Sequence, residues 1–581
     1  MGLLVALTFA AYAPAVRGGF LWDDKVYVSS NATLRTADGL RQIWLAPNST
    51  PQYYPLVFTT FWLEYHLWGL DTTGYHLTNV VLHTCNALLL WLVLRRLRLA
   101  GALLAAAIFA LHPVHVESVA WISERKDVLA GAFTLLTVLA WLRLDAAPSA
   151  RAWLAVVLAF AAAMLSKTSV CALPLVCVLL SWWKDPATWR RAAVRAGPLM
   201  LIGVGLGLVT VYRERAGMDP NLTTHHLTAI ERALRAARAL WFYVAKLLWP
   251  ANLMTFYPMW QVDSGAGRDY LFLGMFLAVL AALWLARRRL GRGPLVAALV
   301  FGLSLAPSLG FVDVNFMTMS YVADHFQYLP SIALIALFAA AMTNASVPWS
   351  RRVSNVLGAA MLVALAACTW ERAHVYRDAE TLWRDSLAKN PEAWMAHSNL
   401  AAILVGRRQF DEAIDHLSET IRLQPGFAGA RLNLGTTLIR QGKQAEGMRE
   451  LESAIRIKPD FALAHYDLGN MLLNQGAVDE AVAHLTTAVQ LEPSDADARI
   501  YLGEALSQQG RVAEAGEQFT TAVKILPDYA EARFRLGRFL LHIDRREDGI
   551  DQLRIAVQLD PKHSAAQRTL QAALADTDAT R

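Results

Sequence analysis

Long apolar runs dominate the chain up to residue 370 and stop there. They lie near 2–16, 77–94, 100–112, 128–142, 152–166, 169–183, 197–212, 270–286, 294–311, 328–343 and 353–370. A helix of about 20 mainly apolar residues crosses a bilayer. The eleven runs therefore predict about 11 spans, the shorter ones completed by their flanks. A further stretch, 238–250, reads as an interfacial or re-entrant helix, for a reason of charge given below. The first run starts almost at Met1 and is bounded by Arg17, which leaves room for an upstream start. No basic segment precedes it, which disfavours a cleaved signal peptide.

Beyond 370 the pattern is periodic. Prolines recur at Pro391, Pro425, Pro459, Pro493, Pro527 and Pro561, each 34 residues after the last, the tetratricopeptide period. Leu400, Leu434, Leu468, Leu502 and Leu536 are each followed by Ala or Gly, and a second small position recurs at Ala413, Gly447, Ala481, Ala515 and Gly549. Small residues there let the two helices of a repeat approach closely, and the proline ends the second helix. The expected fold is all-α: a polytopic transmembrane helical domain at 1–370, a connecting helix within 371–393, five repeats over 394–563 forming an α-solenoid, and a capping helix with tail at 564–581.

Composition sharpens the division. Residues 371–581 hold 56 of the 102 Asp, Glu, Lys and Arg, and 17 of the 19 tryptophans lie before them, as interfacial anchoring predicts. Arg95, Arg96 and Arg98; Arg143 and Arg151; Lys184, Arg190, Arg191 and Arg195; Arg287, Arg288, Arg289 and Arg292; and Arg351 with Arg352 make five basic loops opposed only by Asp145 and Asp185. The positive-inside rule makes these loops cytoplasmic. With eleven spans the N-terminus is then inside and the repeats are outside, in a multi-pass protein of the cell (inner) membrane. A crossing at 238–250 would break that parity. Placed this way, the net charge of +6 gives no reason to expect nucleic acid. Cys85, Cys171, Cys177 and Cys368 lie in apolar runs without metal or redox spacing and are expected to be buried small hydrophobes.

Candidate chemistry gathers on the expected outer loops. Asp23 and Asp24 follow the first span, and a carboxylate there can take the proton of a hydroxyl nucleophile or hold a cation. The segment from His112 to Asp127 packs two histidines, three acids and two cations between two apolar runs. His112, His115 and Glu117 can be read as metal ligands, although their spacing fits no standard zinc motif; Arg125 and Lys126 can bind a phosphate. Lys167 sits in a very short loop, and Asp324-His325 precedes the tenth run. On the first helices of the repeats Asn399, Asn433 and Asp467 occupy equivalent places, where they are either a solvated face or a ladder for a peptide backbone; Tyr501 and Arg535 continue the row. No phosphate-loop motif for nucleotides occurs.

The runs Trp22-Asp23-Asp24, Tyr53-Tyr54-Pro55-Leu56, Leu67-Trp68-Gly69-Leu70, Gly74-Tyr75-His76-Leu77-Thr78-Asn79 with His83, and His112–Asp127 resemble, in order, the tetratricopeptide-bearing GT-C glycosyltransferases, the transmembrane O-mannosyltransferases and their bacterial relatives. The resemblance implies a GT-C-like membrane domain that moves a mannose-like sugar from a polyprenyl phosphate to protein Ser or Thr hydroxyls on the outer face, with the repeats recruiting the acceptor. The family's acidic motif falls on Asp23 and Asp24 and its Arg/Lys-Asp element on Arg125, Lys126 and Asp127. Lys167 and His325 join the donor-phosphate set; His112, His115, Glu117 and Tyr54 support it. No cofactor is required, although a divalent metal is compatible. Two departures stand out: Tyr54-Pro55-Leu56 where many relatives have Tyr-Arg-Pro-Leu, and Asp324-His325-Phe326 where many have Asp-Arg-Tyr. The rival reading is a non-catalytic membrane anchor presenting repeats to envelope proteins. A transporter would show charges in mid-span and an internal duplication, and the chain shows neither.

Overall fold

A computed structural model describes residues 1–222, 227–344 and 351–579. Every regular element among them is helical. The chain divides into two compact units, Met1–Leu400 and Ala401–Arg581.

In the N-terminal unit a helix stands at each of the eleven apolar runs. Five are long and apolar enough to cross a bilayer alone: Thr72–Arg96, Ile122–Ala146, Pro186–Ala216, Gly267–Ala286 and Asn355–Val375. A bent pair, Ala102–Leu111 and Pro113–Ala120, makes a sixth. Five shorter apolar helices, Gly2–Val16, Ala150–Ser166, Thr168–Lys184, Gly293–Ser308 and Ser331–Thr343, account for the remaining runs. At 1.5 Å per residue these reach about 20–26 Å, short of a hydrocarbon core of about 30 Å. Leu271, Leu277 and Leu285 on Gly267–Ala286 and Leu201 and Leu208 on Pro186–Ala216 all point outward. An apolar outer surface of that extent marks a membrane protein. The ambiguous stretch 238–250 belongs to Ala229–Leu248, a helix opened by a capping box at Thr228 and Glu231. Its Ala236, Ala239, Leu240 and Tyr243 pack on Phe301 and Leu305, and Trp249 just beyond it is 77% exposed. The segment 345–350 before Arg351 and Arg352 lies outside the described residues, and so does the end of the tail at 580–581. Of the cysteines only Cys177 is buried; Cys85 and Cys368 face outward from the bundle and Cys171 is half-buried, so the expectation for the four holds for one.

The bend in the sixth span follows from Pro113. Proline has no N–H and pushes the preceding residue out of the helical region; His112 is extended, and the two halves meet at 54°. Three carbonyls freed by the break would be orphans at membrane depth. Those of Phe109, Ala110 and Leu111 are met by His115 Nδ1 (2.8 Å), His83 Nε2 (3.1 Å) and Thr369 Oγ1 (2.8 Å).

The repeats form as their period requires. Paired helices run from Trp394–Gly406 and Phe410–Leu423 to Ala530–His542 and Arg546–Leu559, preceded by Ala379–Lys389 and closed by Ser564–Ala579. A Cβ on Gly435 would stand 2.8 Å from the Gly447 carbonyl, which is why both positions stay small. Five of the six periodic prolines have their carbonyl taken by a side chain six residues on. His397 meets Pro391, His465 meets Pro459, Arg499 meets Pro493, Arg533 meets Pro527 and Gln567 meets Pro561.

Candidate functional site

Asp24 builds the turn after the first span. Its Oδ2 accepts the Leu21 N–H (2.8 Å) and its Oδ1 the Ser123 N–H (2.7 Å), which fastens this turn to the start of Ile122–Ala146. The side chain is wholly buried, and burial pushes its carboxyl up to about 7 against those two donors. Asp23 differs. It is half-buried, and among the described residues no hydrogen bond reaches its carboxylate. Burial pushes it up to about 6; Lys126 pulls it down and Glu124 pushes it further up. The two acids, equal candidates on sequence, therefore separate. Asp24 is saturated and structural, whereas Asp23 keeps a free carboxylate with the pKa of a base.

Beside Asp23 lies a compact set of paired charges. Lys126 Nζ is 2.9 Å from Glu124 Oε1 and 5.3 Å from the centre of the Tyr27 ring. Lys167 donates to Asp127 Oδ1 and stands 3.9 Å from Glu124 Oε2. Glu117 Oε2 accepts the His325 N–H (3.1 Å), and its Oε1 is 3.4 Å from His325 Nδ1. Burial opposes a charge on the His325 ring, but Glu124 and Glu117 outweigh it and hold the imidazole above its ordinary value. Tyr54, whose phenol burial pushes up to about 12, bonds Thr168 next to Lys167. Lys126, Lys167 and His325 are brought together, with Asp127 and Glu117 as their counter-charges and Glu124 as a centre the sequence had not singled out.

Arg125 does not join them. Its guanidinium is fully buried and every donor is taken: Nε by Asn79 Oδ1, Nη1 by Glu64 Oε2 (2.9 Å) and Thr60 Oγ1 (3.2 Å), Nη2 by Glu64 Oε1 (3.1 Å) and the Tyr75 carbonyl (2.9 Å). Nothing remains for a phosphate, so its place in the donor-phosphate set is corrected to that of a buried fork. His112 and His115 are corrected likewise. His112 caps the helix break, with Nδ1 accepting from Val114 and Nε2 facing the Leu247 carbonyl (3.1 Å). His115 Nε2 faces Ser331 Oγ (2.9 Å) while its Nδ1 serves Phe109. Both histidines use both ring nitrogens, and among the described residues no three His, Cys, Asp or Glu converge as for a metal.

A cavity of about 680 Å³ opens from this charged group. Asp127, Lys167 and His325 line it, and so do Leu99, Leu290, Gly291 and Arg292 from two of the basic loops. Its other walls are mainly aliphatic, with Leu90, Val93, Leu135, Val138, Val176 and Ala336 among them. Charged groups lining an otherwise apolar cavity suit an amphiphile with a charged head.

In the repeats Asn399, Asn433 and Asp467 are each half-buried. Asn399 Nδ2 has no partner among the described residues, and burial pushes Asp467 up to about 6. The row ends at Arg535, which Glu504 and Glu531 hold in ion pairs.

Residues 49–212 match the family described as dolichyl-phosphate-mannose-protein mannosyltransferase. Residues 370–426, 404–470, 466–530 and 508–574 match tetratricopeptide repeat families. The resemblance is to protein O-mannosyl-transferases. Protein O-mannosyl-transferase Tmtc1 of Drosophila melanogaster is 26% identical over 73% of this chain and 61% of its own length. Protein O-mannosyl-transferase F38B6.6 of Caenorhabditis elegans is 24% identical over 73% of this chain and 63% of its own. The chain spans about three fifths of the length of these relatives. Among solved structures, that of YrrB, a TPR protein with an unusual peptide-binding site, covers 33% of this chain and all of its own at 23% identity and a TM-score of 0.29. The mannosyltransferase match takes in Tyr54, Lys126, Asp127 and Lys167 but stops short of Asp23 and His325, which the fold brings to the same place.

Sequence reasoning overlooked Glu64, and named Asn79 without the role it has here: both hold Arg125. A lone acid inside the apolar helix Pro55–Trp68 was the available signal, because a carboxylate there needs a cationic partner.

Proposed function

We propose that this chain is a membrane glycosyltransferase that moves a mannose-like sugar from a polyprenyl phosphate to Ser or Thr hydroxyls of a protein on the non-cytoplasmic face of the cell membrane. The observation that carries the reading is the free carboxylate of Asp23 beside Lys126 and His325, with His325 itself lining an apolar cavity. The prenyl chain occupies the cavity and its phosphate sits among Lys126, Lys167 and His325. The acceptor oxygen attacks the anomeric carbon as Asp23 takes its proton. The bond from that carbon to the phosphate oxygen breaks, and the electron pair leaves with the lipid phosphate. Fixed cations act most on charge that develops during the step, and here three surround the leaving group. A single displacement inverts the anomeric centre. The repeats recruit the acceptor through the face that carries Asn433 and Asp467.

The orientation follows the cation asymmetry of the loops: N-terminus and basic loops inside, charged group and repeats outside. The test is transfer from a defined polyprenyl-phosphate mannose to a Ser/Thr peptide by the purified protein, with the product linkage read by mass spectrometry. Absence of transfer with every polyprenyl-phosphate hexose, from protein that is folded and inserted, favours the anchor that only presents repeats.

A further inference from the structure

The aliphatic cavity accounts for a lipid tail but leaves the sugar without a seat. The charged group is also bordered by the rings of Trp22, Trp121, Phe256, Trp383 and Phe316, none of which lines that cavity. Trp22, next to Asp23, stacks on Trp121 with centroids 5.8 Å apart and stands edge-on to Phe256 (5.5 Å) and Trp383 (5.7 Å). Phe256 and Trp383 are parallel within 6°, and Phe256 also meets Phe316 (6.0 Å). Phe316 in turn stands edge-on to the His325 ring at 5.4 Å. Trp121, Phe256 and Trp383 are buried, whereas Trp22 and Phe316 keep open surface. The two open rings thus flank one buried ring. One adjoins the residue read as the base and the other the residue read as a phosphate cation. Trp121 Nε1 is buried without an acceptor among the described residues, a costly state for an indole N–H.

We propose that Trp22 and Phe316, backed by Phe256, form the platform that seats the hexose ring of the donor between Asp23 and His325, and so act as sugar-specificity residues. The inference rests on the glycosyltransferase reading and deepens it. Ring C–H bonds of a pyranose, polarised by the neighbouring oxygens, are drawn to the electron-rich faces of aromatic rings, while aliphatic walls offer only contact area. The aromatic border and the aliphatic cavity therefore suit two different parts of one molecule. The leaving oxygen lies between them, where the cations are.

The test is equilibrium binding of two lipids to the full chain in nanodiscs: polyprenyl-phosphate mannose and bare polyprenyl phosphate. Trp22→Leu and Phe316→Leu should each weaken the sugar-bearing lipid roughly tenfold, the scale of one lost aromatic contact, and leave the bare lipid within about twofold. Trp22→Phe should recover most of the loss. An equal fall for both lipids, or no fall for either, overturns the platform and leaves the glycosyltransferase reading standing. Failure of the unmodified chain to bind either lipid overturns both.

Discussion

Asp23→Asn and Asp24→Asn, chemically the same change at adjacent residues, should have opposite effects. Asp24 accepts a backbone N–H on each oxygen. An asparagine offers one oxygen and one amide, so either the Leu21 or the Ser123 N–H would face a second donor in a fully buried place. A stranded buried donor costs about 1–3 kcal/mol, and Asp24→Asn should lower the thermal midpoint and the amount of inserted protein. Asp23 has no such bonds, and burial raises it from 3.8 to about 6. A carboxyl raised on folding contributes stability below its unfolded value that is lost as pH rises through its folded value. The full shift corresponds to about 3 kcal/mol, reduced to about 1–2 kcal/mol by the water the group still touches. Asp23→Asn removes that loss. The variant should therefore be more stable than the parent at pH 7–8, with the difference gone below about pH 4. Its turnover should fall by at least roughly 10²-fold, and the limb over which the parent's turnover rises through about pH 6 should vanish. Thermal unfolding in detergent, with transfer assayed at matched protein, measures both. Full turnover of Asp23→Asn, or a loss of stability equal to that of Asp24→Asn, would refute the division of roles.

Arg125→Lys should lower folding yield strongly, because removing one side of a buried ion pair costs about 3–5 kcal/mol and an ammonium cannot replace the fork; Lys126→Met should lower yield less, because its partner Glu124 keeps Lys167 nearby, and cut turnover more, and quantitative blotting with assay separates them. A maleimide should label Leu290→Cys only after permeabilisation and Asp38→Cys and Arg440→Cys without it; a site such as Ala120, fully buried, would not report at all. A truncation meant to remove acceptor capture should end at Leu400 rather than 393, because Trp394 Nε1 reaches the Thr318 carbonyl (3.4 Å) and belongs to the N-terminal unit. That truncation should keep transfer to a short hydroxyl peptide and lose preference for a full-length acceptor, as paired steady-state assays would show. His484 faces His465 (2.9 Å), and burial lowers its pKa, so the repeats should lose stability as pH falls below about 6.5. His484→Gln, the residue at the matching place in the last two repeats, should flatten that dependence in a thermal melt.

The helical architecture was legible because its signals are local: an apolar run long enough to span, a proline every 34 residues, a small residue where two helices touch. Each reads out of a window no longer than the element it forms. The site was legible only as a region. Asp23 and Asp24, or Arg125 and Lys126, are neighbours in sequence, but the first pair lies in a turn and the second in a helix that rotates about 100° per residue, so adjacent side chains meet different surroundings. Which of them stays available is set by groups far along the chain: Ser123 for Asp24, Glu64 and Asn79 for Arg125, Glu117 for His325. Inside a membrane unit such partners are obligatory, since a buried charge or a freed carbonyl has no water to turn to. His83, His115 and Thr369 at the break made by Pro113 show the same demand. A dense polar segment between spans is thus first a device for satisfying the backbone and pairing charges. The residue to seek within it is the one that device leaves unsatisfied. Asp23, raised in pKa and without a donor among the described residues, meets that condition, while Asp24, Glu64 and Glu117 accept hydrogen bonds from Leu21 and Ser123, from Arg125 and from His325.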